Sequence, residues 1–516
     1  MTAVAPLARP WRPARALRLE IRRSVVPWAI PLIAALFFFD VYRTAAGDPP
    51  LWNVRACEVT NHMLFDFSAF AAGLGAWAGS REGRRKTGDL VATTVRPAWA
   101  RQAAALAATL FWLVLAFLAG VVVIYVQTAL GAAWGGPPLW PAAVGVAGVV
   151  TACVTGFTAG VLFPGRFTAP LAAVGVLVLA VIGFHAGLGV SGSDTYGLLS
   201  PATGSPPVDY GIFYRVPPDV AIAQVMFMGG ITLAMLGLLT LAPVFPALNL
   251  RWHLAVGRAG RWLCVAGAAL LAAGLAASWT AYALTGTARV NAAGYWVIPA
   301  LHDAASDQPA AYTPDCTGTA FKVCVHPAFG GYLSHVAAAL DPVAAEIAGL
   351  PGAPAGAREV VSDVHSSSPA NPIMGNPPVF TFTSDNVGNL IGVFRGSPAG
   401  STGAIWNQGF QQGLLDAFVT GQPPAGLADS FAGVPTTPAQ QAVVKALLTV
   451  VGTPASQLPQ LSQSTGPNGQ PAGPSPAKIA AAAQRFAALS PAARHAWLAT
   501  RLAALRAGTI SLGQIP

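Results

Sequence analysis

Long runs without a single Asp, Glu, Lys or Arg recur along the first 285 residues, separated by short breaks that carry the charge. From Gln102 to Gly165 no such residue occurs, and the stretch is divided midway by Gly135-Gly136-Pro137-Pro138, which predicts two spans joined by a tight turn. Further charge-free runs lie between Arg166 and Asp194, Asp219 and Arg251, and Arg261 and Arg289. Each exceeds the ~20 apolar residues that a helix needs to cross the hydrocarbon. Another run goes from Ser24 to about Tyr42, interrupted only by Asp40, and one covers roughly Val59 to Ser80, broken by His62 and Asp66. The pattern predicts seven helices, at about 24–43, 60–80, 103–128, 140–163, 168–190, 220–246 and 262–285. The first has an Arg-rich leader and a small-residue stretch, Thr44-Ala45-Ala46. Its length, its prolines and its aromatic end fit a retained helix better than a cleaved signal peptide.

Beyond residue 285 the pattern changes. Short strand-like pieces (Phe321–Val325, Val379–Thr383) alternate with helical periodicity (Tyr332–Ile347, Ala404–Phe418, Ala439–Val451), and no apolar run reaches membrane length. Pro438 sits near one helix start, and Ser490-Pro491 reads as an N-cap followed by a first-turn proline. The expected fold is therefore a polytopic α-helical membrane protein of about seven spans with a C-terminal α+β extracytoplasmic domain. Its parts are a basic N-terminus (1–23), a transmembrane bundle (24–285) with a cytoplasmic loop at 80–102, and an α+β domain (286–454). A Ser/Gln/Pro/Gly-rich linker (455–476) and C-terminal helices (477–516) follow.

Composition excludes an ordinary soluble domain: 54% of residues are hydrophobic and only 9% charged, against about 25% charged in soluble proteins. The formal net charge of +9 invites a nucleic-acid reading, but its position argues otherwise. All of it belongs to residues 1–285, while the tail holds ten basic and ten acidic residues. With a cytoplasmic N-terminus, sixteen Lys and Arg fall in inside segments and three (Arg43, Arg55, Arg215) in outside ones. That asymmetry sets orientation in the plasma or inner membrane and places the tail outside, with no nucleic-acid partner.

The cysteines fit this topology. Cys316 and Cys324 are expected to form a disulfide in the exported tail, with two reduced core thiols as the alternative. Cys153 and Cys264 fall in spans, and Cys57 is left over in an outside loop. No G-x-x-x-x-G-K-S/T occurs, and none of Lys86, Lys322, Lys445 and Lys478 follows a glycine. Without that phosphate loop the chain is not expected to hydrolyse nucleotide, and a motor would be another chain. H-E-x-x-H and G-x-S-x-G are absent too.

The loop from Ser80 to Gln102 combines Arg84, Arg85, Lys86 and Arg96 with Leu90 and Val91, a pattern that fits a short surface helix before Pro97. A basic anchor to lipid is the plainer reading, but Glu82 and Asp89 within the cluster are unexpected for it. Glu82 followed by Thr87-Gly88-Asp89-Leu90-Val91-Ala92-Thr93-Thr94-Val95-Arg96 resembles a motif of type-2 ABC transporter permeases. Those proteins carry, between their second and third helices, an acidic residue and a Gly-Thr-acidic-Leu-Leu-x-Thr-Pro-like run. Here the Thr-Gly order is inverted and the proline after the threonine is missing. The six-span core (24–246) looks like that family, and WGGPPLWP (134–141) with FPGRFTAP (163–170) resembles an actinobacterial-type branch of it. The resemblance covers about half the chain. It implies a coupling element, with Glu82, Arg85, Thr87, Gly88, Asp89, Leu90, Thr93 and Arg96 contacting a separate cytoplasmic ATPase. It also implies ATP bound on that partner, no cofactor on this chain, and a second permease copy or homologue.

His62 and Asp66, at i and i+4 on one helix face, are candidates for a substrate or ion path with Asp40, or for an interfacial structural role. His185 reads as hydrogen-bonded within the bundle. Gly75-x-x-x-Gly79, Gly156-x-x-x-Gly160 and Gly183-x-x-x-Gly187 read as packing within one chain. In the tail, His302, Asp303, Asp307, His326, His335 and His365 match no metal spacing, and no metal is expected. The readings that compete with a permease are a membrane-anchored exported enzyme, degenerate and peptidase-like, and a ligand-sensing membrane protein.

Overall fold

The computed structural model describes residues 13–47, 50–58, 64–85, 98–187, 195–200, 212–241, 258–291, 295–360, 373–374, 376–383, 402–421, 437–455, 458–459, 461, 464–465 and 471–516. The chain begins with α1 (Pro13–Arg23), whose axis bends by 53° into α2 (Val26–Leu36). At the bend the Ser24 hydroxyl accepts from the Val26 amide, and Pro27 occupies the first turn, where its missing N–H costs no hydrogen bond. A π-helical turn, Phe37–Tyr42, continues α2 and carries Asp40.

Then come α3 (Trp52–Glu58), α4 (Leu64–Gly79), α5 (Ala98–Gly131), α6 (Leu139–Leu162), α7 (Thr168–Gly187), α8 (Asp219–Leu241) and α9 (Arg258–Thr285). Helices thus stand at all seven expected places. Membrane length is a stricter test. Among the described residues, four helices are long and apolar enough to cross a bilayer, namely α5, α6, α8 and α9, or five if the bent α1–α2 pair is one span. The described part of α4 has 16 residues, about 24 Å of helix, which is short of a ~30 Å hydrocarbon core. The molecule is a polytopic helical protein with several membrane-length helices.

Glycine decides how these helices meet. On α4, a Cβ at Gly75 or Gly79 would lie 2.4 Å from the Cys153 carbonyl or 2.3 Å from that of Phe157. Reciprocally, on α6, a Cβ at Gly156 or Gly160 would lie 2.0 Å from the Ala72 carbonyl or 2.3 Å from that of Ala76. Two of the sequence's G-x-x-x-G motifs therefore face each other inside one chain, bringing backbones into contact as small residues permit. The α8–α9 pair uses a seven-residue spacing instead: Gly230 and Gly237 oppose Gly274 and Gly267. Thr151 joins α6 to α8, donating to the Met228 carbonyl at 2.9 Å with the Thr232 hydroxyl also 2.9 Å away. Outward positions hold large apolar groups, with Trp28, Trp262 and Trp279 exposed.

The tail is a mixed α+β unit. After a two-stranded ribbon, β1 (Arg289–Val290) and β2 (Trp296–Val297), a five-stranded sheet is built from β3 (Asp315–Thr317), β4 (Lys322–Val325), β5 (Gly356–Val360), β6 (Ile373–Met374) and β7 (Val379–Thr383). Its order is β3-β4-β5-β7-β6, with β4, β5 and β7 parallel and both edges antiparallel. Cys316 and Cys324 stand directly opposite on β3 and β4 and are disulfide-bonded.

Five α-helices are described in the tail: α10 (Leu333–Ile347), α11 (Thr402–Thr420), α12 (Pro438–Val450), α13 (Pro476–Ala488) and α14 (Pro491–Arg506). Their starts follow the sequence rules: Thr437 and Gln440 form a reciprocal capping box, and the Ser490 hydroxyl accepts from the Ala493 amide. Within the expected linker, a small hairpin pairs β8 (Ser464–Thr465) with β9 (Pro471–Ala472). One apolar core gathers Phe329, Phe382, Phe410, Phe418 and Phe486 from across the tail, including the C-terminal pair. Leu51, Ile212 and Phe213, from the loops of the helical bundle, belong to that same core.

Candidate functional site

The bundle has two chemically different ends. At one, the α4–α5 loop begins with a short helix, Arg81–Arg84. Arg101, in the first turn of α5, donates through Nε to Glu82 at 3.3 Å, so the two feet of the loop are tied together. Arg81 forks onto Glu20 of α1 at 3.1 and 3.3 Å. The Trp112 indole donates to the Ile21 carbonyl at 2.9 Å, holding α1 against α5. Arg84 lies over the Trp77 ring, 3.6 Å from its centroid, and donates to the Trp77 carbonyl. Gly83 packs so closely on Pro164 that a Cβ there would lie 2.3 Å from the proline. Loop base, α1 and the α6–α7 turn are thereby locked into one basic platform.

Of the expected coupling residues, Glu82 and Arg85 lie on this platform. Thr87, Gly88, Asp89, Leu90, Thr93 and Arg96 lie outside the described residues. Arg84, named among the basic residues of the loop, lies here too, while Glu20, Arg81 and Arg101 complete the arrangement and were not singled out from sequence. The amphipathic pattern of α1, with Leu17 and Ile21 four apart among arginines, was the available signal.

The opposite end carries the tail. Asp219, the first residue of α8, is almost wholly buried, and its Oδ2 accepts from the Ile298 amide and contacts His302 Nδ1, both at 3.1 Å. His302 Nε2 is 2.9 Å from Asp307 Oδ2, and Asn291 donates to the other Asp307 oxygen. The imidazole bridges two carboxylates, and the hydrogen bond to Asp307 above all raises its pKa from the ordinary value. A doubly protonated ring, donating from both nitrogens, suits this position. Asp303 takes another role, capping a 3-10 turn through the Ala305 amide at 3.0 Å.

In the tail, His326 sits inside an aromatic wall of Trp134, Phe213 and Tyr312, with centroids 5.0, 5.0 and 4.3 Å away. Its Nδ1 accepts from the Ala328 amide at 3.1 Å, and burial lowers its pKa to about 4, so it is neutral. The His326 amide donates to Glu359 Oε2 at 2.6 Å. Burial raises the Glu359 pKa to about 8, which the amide hydrogen bond only partly offsets. Trp134 comes from the Gly-Pro turn between α5 and α6, where Gly135 adopts φ +82, a left-handed conformation that favours glycine.

Asp40 is half-buried on the π-helical turn, while His62 and the side chains of Asp66 and His185 lie outside the described residues, as does His365. Among the described residues no group of three or more His, Cys, Asp or Glu is arranged to hold a metal ion. Compared with protein families, with curated proteins and with solved structures, the chain matches none.

Proposed function

We propose that this chain is the membrane-spanning subunit of an ABC transporter, moved by a separate cytoplasmic ATPase that engages the loop from Glu82 to Thr94. In this reading seven helices span the membrane, the N-terminus and the basic platform face the cytoplasm, and the tail stands outside. The observation that carries the reading is the Glu82–Arg101 ion pair closing the base of that loop. A load applied to a loop with joined feet passes into the helices α4 and α5 rather than being absorbed by flexing. From α4 the glycine contacts lead to α6, the Thr151 hydrogen bonds lead to α8, and Asp219 at the far end of α8 holds His302 of the tail. The path is a run of contiguous packed and hydrogen-bonded contacts from the loop base to the tail.

The test is co-purification from native membranes after mild solubilisation. An ATPase is expected with the wild-type chain, and Arg85→Glu or Asp89→Arg is expected to weaken its recovery several-fold. Recovery of no ATPase in several detergents would overturn the reading. A purified chain that hydrolyses peptides unaided would favour the exported enzyme instead.

A further inference from the structure

Between α1, α2, α4 and α5, at the basic end, lies an open cavity of about 650 Å³, within the ~300–1,000 Å³ range of small-ligand sites. Arg23, Arg81, Arg84, Arg85 and Arg166 supply its charge, and Val26, Leu74, Ala105 and Ala108 supply apolar surface. Glu20 is the one carboxylate among the lining residues, and Arg81 already engages it. The other four arginines have no second carboxylate among the lining residues. The Arg84 Nε is buried with no hydrogen-bond partner among the described residues, although its terminal nitrogen reaches the Trp77 carbonyl. Burial first, and then the neighbouring Arg85, lower the Arg84 pKa from its ordinary value.

This basic group stands at the end of membrane-length helices, where lipid phosphates lie. Val25 lines the cavity and is half exposed, and one turn on, Trp28 is 87% exposed, so an apolar flank leads out from it along α2. Guanidinium groups match phosphate oxygens in fork geometry, and basic pockets between helices on one side of a membrane protein suit phospholipid headgroups. We propose that the cavity binds a phosphate group as the headgroup of an anionic phospholipid, with Arg23, Arg84, Arg85 and Arg166 around the phosphate. The apolar surface receives the glycerol and first methylenes, and the acyl chains follow α2. Because Gly83 is packed on Pro164, a lipid held here bridges the loop base to the α6–α7 turn.

Native mass spectrometry of the full chain in detergent tests this, with phosphatidylglycerol and phosphatidylcholine of the same acyl chains as probes. Wild type is expected to retain phosphatidylglycerol about tenfold better than phosphatidylcholine, and Arg23→Gln with Arg166→Gln to remove about that preference. Both positions are exposed and lie outside the loop proposed to contact an ATPase, so ATPase recovery is expected to stay unchanged. Lipid-free melting temperature checks the fold, and Arg166→Gln alone, on a turn, serves if the double variant melts early. Equal retention of the two lipids, or full retention by a variant of normal melting temperature, would overturn the proposal. Displacement of the lipid by equimolar inorganic phosphate would also overturn it, assigning the site to a free anion.

Discussion

Gly156 has the least room of the glycines on the α4–α6 face, since a methyl group would sit 2.0 Å from the Ala72 carbonyl oxygen. Overpacking of this kind costs ~1–3 kcal/mol even where the backbone can shift. Gly156→Ala is expected to lower the melting temperature in detergent, and Gly156→Leu to abolish the folded bundle. Gly136→Ala, with nothing within 4 Å, is expected to change it little. Glu359 shows the opposite kind of constraint, a buried acid held largely protonated near neutrality. Its folded pKa of about 8 lies above the ordinary value of 4.5, so the charge adds almost no penalty below pH 4.5. The penalty grows from there to pH 8, where it reaches roughly 4 kcal/mol at about 1.4 kcal/mol per unit. Glu359→Gln is therefore expected to raise the melting temperature at pH 8 and leave it nearly unchanged at pH 4.5; an equal effect at both would contradict the buried-acid account. Neither the close approach nor the proton could be read from composition. The G-x-x-x-G spacing marked the first, whereas Glu359 reads like any strand residue until β4 and β5 pair.

At the scale of elements, the junction between α8 and the tail turns on His302. Because its folded pKa is raised, the bridge contributes fully below pH 6.5 and is lost as pH rises through the folded value. Hydrogen exchange of the 296–303 segment is expected to quicken as pH rises beyond what intrinsic exchange chemistry gives. His302→Gln is expected to make that corrected rate flat with pH. Asp307→Asn, which removes the largest cause of the shift, is expected to bring the transition to lower pH. A corrected rate independent of pH in the wild type would contradict an ionised bridge. Elements with local signals were legible: Val379–Thr383 is the strand expected from alternation, and Ser490-Pro491 starts the helix it predicts. The bridge was not, because Asp219 and His302 are 83 residues apart, and His302 and Asp307 were read only as tail residues without metal spacing. The 53° elbow was missed as well, since the charge pattern of residues 1–23 reads as a basic tail unless Leu17 and Ile21 are placed on one face.

For the whole molecule, the charge asymmetry along the sequence corresponds to a spatial one: Arg23, Arg81, Arg84, Arg85 and Arg166 line one cavity at one end, while Asp219, His302 and Asp307 join bundle to tail at the other. Distance between charges carried that information because the intervening helices are almost uncharged. The number of spans was harder to read, since charge-free length marks seven places while four helices, or five with the bent pair, reach membrane length among the described residues. In the proposed function, the loop closed by Glu82 and Arg101 receives an ATPase. Its most direct test is site-specific photocrosslinking in native membranes, with a photoreactive residue at Leu90 and a control at Ser511 in the tail. Leu90 is expected to give an adduct with a nucleotide-hydrolysing protein that carries a phosphate-loop motif, and Ser511 to give none. Crosslinking at Leu90 to lipid alone, or to a protein without that motif, would contradict it.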